Sequence, residues 1–246
     1  MEHIKVIYKI TPKSKKIRIT VKADGSVVVT RPKYVSEKKA VKFFKEHEEW
    51  IIKTVENMSK RKVKKLEYND GNLVYFLGNE YYLKISEVNL LNKINQKENF
   101  IYKKTQKSIV VLDNANNNLE IYIKDKYNDK SYLEKELLSF LSEQAKKNIE
   151  ERLAIYTDKM DLEYNEFKIK DVKTKWGSCS SKKNLNFNYR LIHTPQWVLD
   201  YVVVHELAHL KHMDHSKSFW QLVEVYAPKY KEARKWLKEN TSKFNT

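Results

Sequence analysis

The chain has 246 residues, 41% hydrophobic and 33% charged, with only four glycines and four prolines, which gives room for real cores and little for long disordered linkers. No apolar run reaches the length of a membrane span, MEHIKVIYKI lacks the layout of a secretory signal, and Cys179 alone excludes an intrachain disulfide, so a cytoplasmic protein without a membrane partner is expected. The formal charge of +16, nearly all from lysine, favours polyanions and is evidence of non-specific association with nucleic acid only, the plainer explanation being a general bias towards Lys and Asn.

Residues 3–10 and 15–31 read as strands. Ile17, Ile19 and Val21, then Val27 and Val29, alternate with polar residues around an Asp24-Gly25 turn, which predicts a hairpin ended by Pro32. Ser36 can cap a single helix whose apolar face includes Val41, Phe44, Ile51, Val55 and Met58. The basic run SKRKVKK closes it, where lysines complement the helix dipole. Short β-type segments recur from 73 to about 125, separated by turn residues such as those of DNANNN. Residues 1–128 are therefore expected to form a mostly β region with one helix, serving to recruit substrate or partner.

A second regime, 129–246, begins with Leu133, Leu137, Leu141, Ala145, Ile149, Leu153 and Tyr156, the stripe of a long amphipathic helix. Short strands are expected around Phe167–Val172, Thr174–Ser178 and Leu185–Leu191. Thr194 as cap and Pro195 at the first helical position then open another helix.

That helix carries His205-Glu206-Leu207-Ala208-His209, an HExxH motif. Four helical residues turn about 400° and rise about 6 Å, so both imidazoles leave one face and can share a zinc ion. Glu206 lies beside them, where it can take a proton from water at the metal. Three residues compete as third ligand. His212 stands about 10.5 Å along the axis from His205 if the helix continues, too far to share an ion. His215 is better placed if the chain breaks at Met-Asp and folds back, and Glu224 could be delivered by a following helix.

Trp176-Gly-Ser-Cys179, Asn184–Leu191, Tyr201–His209, His215-Ser216 and Phe219-Trp220, together with the N-terminal hairpin and Trp50-Ile51, resemble the YgjP-like metallopeptidases, relatives of the SprT-like and WLM zinc proteases. The resemblance implies an α+β fold with a zincin-type domain, in which the HExxH helix packs on a small sheet. It also implies one Zn2+ per chain held by His205, His209 and His215, with Glu206 catalytic on a protein or peptide substrate. A metal-dependent hydrolase of another bond would leave the same motif, and the competing class is a non-catalytic module that binds nucleic acid or a partner around a structural zinc, which would have no need of Glu206. The segment Trp176, Gly177 and Ser178 could pair with an extended substrate, or Trp176 could be core and Gly177 a close-packing residue. Tyr189, Arg190, His193 and Tyr201 are candidates for stabilising an oxyanion, and Arg190 could contact substrate or serve as a structural ion-pair partner. Phe219 and Trp220 are expected to anchor the segment after His215. Asp214 is either an acceptor for a ligand imidazole or a solvated loop residue.

Overall fold

The computed structural model describes residues 4–12, 14–22, 24–60, 68–87, 101–124, 129–172 and 174–244, and the side chains of 57–60, Met58 included, lie outside that description. Most of the SKRKVKK run also falls outside it. The described residues form six α-helices and eleven strands in three sheets, a mixed α+β architecture. None of these helices is long and apolar enough to cross a membrane. The chain divides into two compact units, residues 1–64 and 65–246.

The small unit holds β1 (Val6–Ile10), β2 (Arg18–Val21) and β3 (Val27–Arg31) in the order β1-β3-β2, followed by α1 (Glu37–Glu46) and α2 (Glu48–Lys60). The expected hairpin forms between β2 and β3, with Val21 opposite Val27 and Ile19 opposite Val29. Val27, Val29, Ala40 and Ile51 are the centre of its core, packed by Ile17, Ile19, Val21, Phe44 and Val55. Ser36 caps α1 by accepting from the Lys39 N–H. The single helix expected here is two. His47 leaves helical geometry (φ −115°, ψ 13°) and its N–H closes onto the carbonyls of Phe44 and Lys45. The apolar period runs on across that break, so periodicity alone did not reveal it.

The larger unit begins with β4 (Leu73–Phe76), β5 (Asn79–Glu87), β6 (Ile101–Lys104), β7 (Ser108–Asp113) and β8 (Asn118–Ile123), one five-stranded sheet in the order β4-β5-β8-β7-β6. The long helix α3 (Lys130–Met160) starts at Asp129, whose carboxylate accepts from the Ser131 N–H. Its stripe of Leu137, Leu141, Ala145, Ile149 and Leu153 shares one apolar cluster with Leu83, Val110, Leu112, Leu119 and Ile121 of the sheet. This sheet therefore belongs with the residues that follow it, and the division falls near 64/65 where the sequence places the change of regime at 128/129. Two amphipathic surfaces, each readable alone, complete each other's core.

A second, three-stranded sheet has β9 (Glu166–Lys170), β10 (Gly177–Cys179) and β11 (Asn184–Asn188) in the order β10-β11-β9, so β10 is an edge. The strand expected over 185–191 ends at Asn188, where a 3₁₀ turn, Tyr189–His193, takes over. Thr194 does not cap the next helix. Its hydroxyl donates to the Leu191 carbonyl and closes the 3₁₀ turn, and α4 (Gln196–Ala208) starts after Pro195 without a side-chain cap. The start of α4 is instead held by the β4–β5 hairpin, through Leu77 N–H to Ile192 O at 2.6 Å. Gly78 in that hairpin has φ +83°, and a Cβ there would lie 2.8 Å from the Pro195 Cα. α5 (Lys217–Tyr226) and α6 (Tyr230–Phe244) complete the chain.

Candidate metal centre

α4 is apolar on nearly every side, with Val198, Leu199, Val202, Val203, Val204, Leu207 and Ala208 all buried. A helix so enclosed can turn polar groups only towards a prepared site. His205 and Glu206 lie in its last turn, and His209 is its C-terminal cap. The helix stops there. Leu210, Lys211 and His212 turn back on the carbonyls of Leu207 and Ala208, and the chain then runs through an open loop to His215.

The result is a convergence of three imidazoles. One ligand nitrogen from each of His205, His209 and His215 lies within 4.8 Å of the others. The Nε2 atoms of His205 and His215 are 3.2 Å apart. Three nitrogens bound tetrahedrally to one ion at about 2.1 Å would sit about 3.4 Å apart, so the donor set fits a single zinc-sized cation. His212 and Glu224 are not part of this cluster. Glu224 is exposed on α5. His212 contributes its backbone, since its carbonyl accepts from His209 Nδ1 at 3.0 Å. That bond fixes the His209 tautomer and leaves Nε2 free. The Tyr201 hydroxyl lies 3.4 Å from His205 Nδ1 and can accept from it when Nε2 faces the cluster.

Burial, the neighbouring imidazoles and then Arg234 push His205 down to about 3, and burial also lowers His209. Both rings are thus neutral, as metal ligands must be. Burial pushes the Glu206 carboxyl up to about 8, with the charge of Lys175 opposing it. Gly177 packs directly on this carboxyl. A Cβ at 177 would lie 2.5 Å from Glu206 Oε1 and 2.8 Å from its Cδ. Only a residue without a side chain lets the edge strand β10 approach so closely.

Phe219 is the floor of the cluster. It is fully buried, and its ring centre is 5.0, 4.6 and 4.8 Å from those of His205, His209 and His215. Trp220 stacks on His215 at 5.6 Å and on Tyr230 at 5.3 Å, with the Arg234 guanidinium 4.6 Å from its ring centre. Ser216 caps α5 by accepting from Phe219 N–H, which ties the residue after His215 to this floor. Asp214 is exposed and accepts from Ser216 N–H in the same loop.

The other sequence candidates have different engagements. The Trp176 indole donates to Thr241 Oγ1 at 3.3 Å, and the Ser178 hydroxyl accepts from Asn186. Arg190 is 2% exposed. Its guanidinium pairs with Asp171, donates to the Phe244 carbonyl at 2.7 Å and lies over the Tyr189 ring, so it clamps the end of α6. Of the two readings open for Arg190, these contacts supply the structural ion-pair partner. His193 is buried against Phe244, its Nδ1 donating to Tyr75 O, and burial pushes it down to about 4. Burial and the Glu206 carboxylate hold the Cys179 thiol above its ordinary range, which makes it a poor nucleophile.

Tyr201 was open to sequence reasoning as a partner of His205, because it stands four residues before it on one helical face. Lys175 facing Glu206, and Tyr230 and Arg234 behind Trp220, had no such local signal. They arrive from other elements.

Residues 15–240 match the YgjP-like metallopeptidase domain family. The chain belongs to that family. It is therefore a metallopeptidase in general terms, a hydrolase acting on protein or peptide. Comparison with curated proteins finds no match. Among solved structures, the crystal structure of the metallopeptidase zymogen of Pyrococcus abyssi abylysin is similar at 23% identity, over 39% of this chain and 98% of that one. Its TM-score of 0.35 is too low to say anything of the fold.

Proposed function

We propose that the chain is a zinc-dependent peptide-bond hydrolase of zincin type. His205, His209 and His215 would hold one zinc ion per chain, and Glu206 would act as general base and then general acid. The observation that carries this reading is the convergence of three imidazoles beside a carboxyl that Gly177 confines. A structural zinc site has no use for such a carboxyl.

When bound, zinc supplies Lewis acidity, polarising the scissile carbonyl and making water a competent nucleophile near neutral pH. The chain's own residues do the rest. Tyr201 and the His212 carbonyl keep the His205 and His209 rings turned with Nε2 outward. Glu206 takes a proton from the attacking water and returns it to the leaving amine, a role worth roughly 10²–10⁴ in rate. The free edge of β10 offers backbone groups to an extended substrate, so that Trp176, Gly177 and Ser178 contribute main chain at the cleft.

Metal content after chelator stripping and reloading with one equivalent of zinc tests the ligand set. His215→Ala is expected to lose tight zinc and His212→Ala to keep it. Zinc retained by His215→Ala would move the third ligand elsewhere. Glu206→Gln should keep its zinc and lose cleavage of an unfolded protein substrate by about 10²-fold or more. Wild-type cleavage by that variant would sink the catalytic assignment.

A further inference from the structure

The charge of +16 is not spread evenly. Residues 1–64 carry 18 Lys and Arg against 7 Asp and Glu, a formal +11, whereas residues 65–246 carry 30 against 25, or +5. A chain-wide preference for lysine would have raised both units alike, so the excess belongs to the small unit. Within it the two helices are nearly neutral, with six lysines against five glutamates, while residues 1–36 hold nine cations against two acids. Most of the excess therefore falls in residues 1–36, the stretch that holds the three strands.

The sheet's two faces differ. Val6, Tyr8, Ile17, Ile19, Val21, Val27 and Val29 pack in the core formed with α1 and α2. Strand alternation puts Ile7, Lys9, Arg18, Thr20, Val28 and Thr30 on the opposite face, with Lys5 and Lys22 continuing the pattern at the strand ends. The register lines up Lys9, Thr30 and Arg18 in one row and Ile7, Val28 and Thr20 in the next. Lys5, Lys9, Arg18 and Lys22 are exposed, and none lies within ion-pair distance of a carboxylate among the described residues. Asp24, the one described acid in this part of the chain, is turned into its own hairpin, accepting from the Ser26 N–H and hydroxyl.

We propose that this sheet face of the small unit binds nucleic acid through the phosphate backbone. Four exposed cations frame two rows of Ile, Val and Thr, in which Val28 is buried, Ile7 and Thr30 are half-buried and Thr20 is open to solvent. Charge complementarity selects a polyanion, and the three strands themselves place no aromatic side chain on this face to stack on bases. Binding is accordingly indifferent to sequence and steeply dependent on salt. It is a function separate from peptide hydrolysis, and the full chain retains it when Glu206 is replaced.

The test is fluorescence anisotropy of the full-length protein with labelled single-stranded and duplex oligonucleotides, repeated over a range of salt. One variant carries Lys5→Gln, Lys9→Gln, Arg18→Gln and Lys22→Gln. A second carries Lys38→Gln, Lys39→Gln, Lys42→Gln and Lys45→Gln, the same charge change placed on α1. The strand variant is expected to bind at least tenfold more weakly, with a salt slope shallower by about three to four, and the helix variant within about threefold of wild type. Should the strand variant fail to fold by circular dichroism, the double variant Lys9→Gln/Arg18→Gln is read in its place, with a slope change of about two. Equal losses in the two variants would reduce the effect to bulk charge and overturn the proposal. So would the absence of wild-type binding at about 0.1 M salt, or tighter binding to phosphatidylserine vesicles than to either oligonucleotide.

Discussion

The three imidazoles of the candidate metal centre come from two kinds of support. His205 and His209 stand at the end of a buried helix whose neighbours are nearly all apolar, and each is turned by a hydrogen bond to its Nδ1. His215 is exposed, lies in a loop, and takes its position from packing on Phe219 and Trp220. The helix-borne pair is fixed by secondary structure. The loop-borne ligand is fixed only by what lies beneath it. A three-ligand site of this kind should therefore fail first on the loop side, and substitutions can separate the two supports.

The largest effect is expected at Phe219, whose ring packs on all three imidazoles. Phe219→Ala removes a fully buried ring and should cost about 3–5 kcal/mol of stability, measured by urea unfolding. It should also weaken zinc binding more than Trp220→Ala, which removes contacts with His205 and His215 while leaving the floor under His209. Equal zinc affinity in the two variants would show that Phe219 is core and nothing more.

His193 sharpens the comparison from outside the site. It too is a buried imidazole, but its Nε2 has no hydrogen-bond partner, and it stacks on Phe244 with its Nδ1 donating to Tyr75 O. Its folded pKa of about 4 lies below its ordinary 6.5, so the unfolded chain takes up the proton first. Stability from this group is complete above about pH 6.5 and is lost as the pH falls towards 4, about 3 kcal/mol in all. His193→Gln should flatten the fall in unfolding free energy over that window by about 1.4 kcal/mol per pH unit, one proton's worth. An unchanged slope would assign the acid sensitivity to other groups.

How much of this was legible beforehand follows from the range of the interactions. The HExxH helix, the β2–β3 hairpin and the α3 stripe are set by residues within four positions of one another, and each was read from spacing. The helix stop before His215 was also readable, from Met213-Asp214 and Ser216. The break at His47 was not, because it leaves the apolar period intact. Nor was the union of the five-stranded sheet with α3, since each surface shows only that it needs a partner. Arg190 illustrates the limit: a cation in a promising segment whose partners, Asp171 and the Phe244 carbonyl, lie 19 and 54 residues away.

Gly177 had two readings in the sequence, and its contact with Glu206 now makes them one prediction. A methyl group at 177 would occupy the space of the Glu206 carboxyl. Gly177→Ala should therefore displace the proton acceptor while leaving all three imidazoles in place. We expect zinc content to be unchanged and kcat to fall about 10²-fold, as for an ångström-scale misplacement of a reacting group. A fall in KM performance alone, with kcat intact, would mean that Gly177 serves the substrate backbone and Glu206 has moved without cost.

The smallest effect separates the two helix-borne ligands from each other. His205 is oriented by a side chain, Tyr201, and His209 by a backbone carbonyl, that of His212. Burial pushes the Tyr201 hydroxyl up to about 12, so it remains a neutral partner through the physiological range. Tyr201→Phe removes that partner and leaves His205 Nδ1 facing an apolar ring. Zinc affinity should drop about tenfold, the lower end of what such orienting bonds contribute, measured by competition with a chelator of known affinity. His212→Ala changes the side chain and keeps the carbonyl, so its affinity should match wild type. If the two variants bind zinc equally well, the 3.4 Å contact is too long to orient His205, and the buried wall of α4 suffices to hold both ligands.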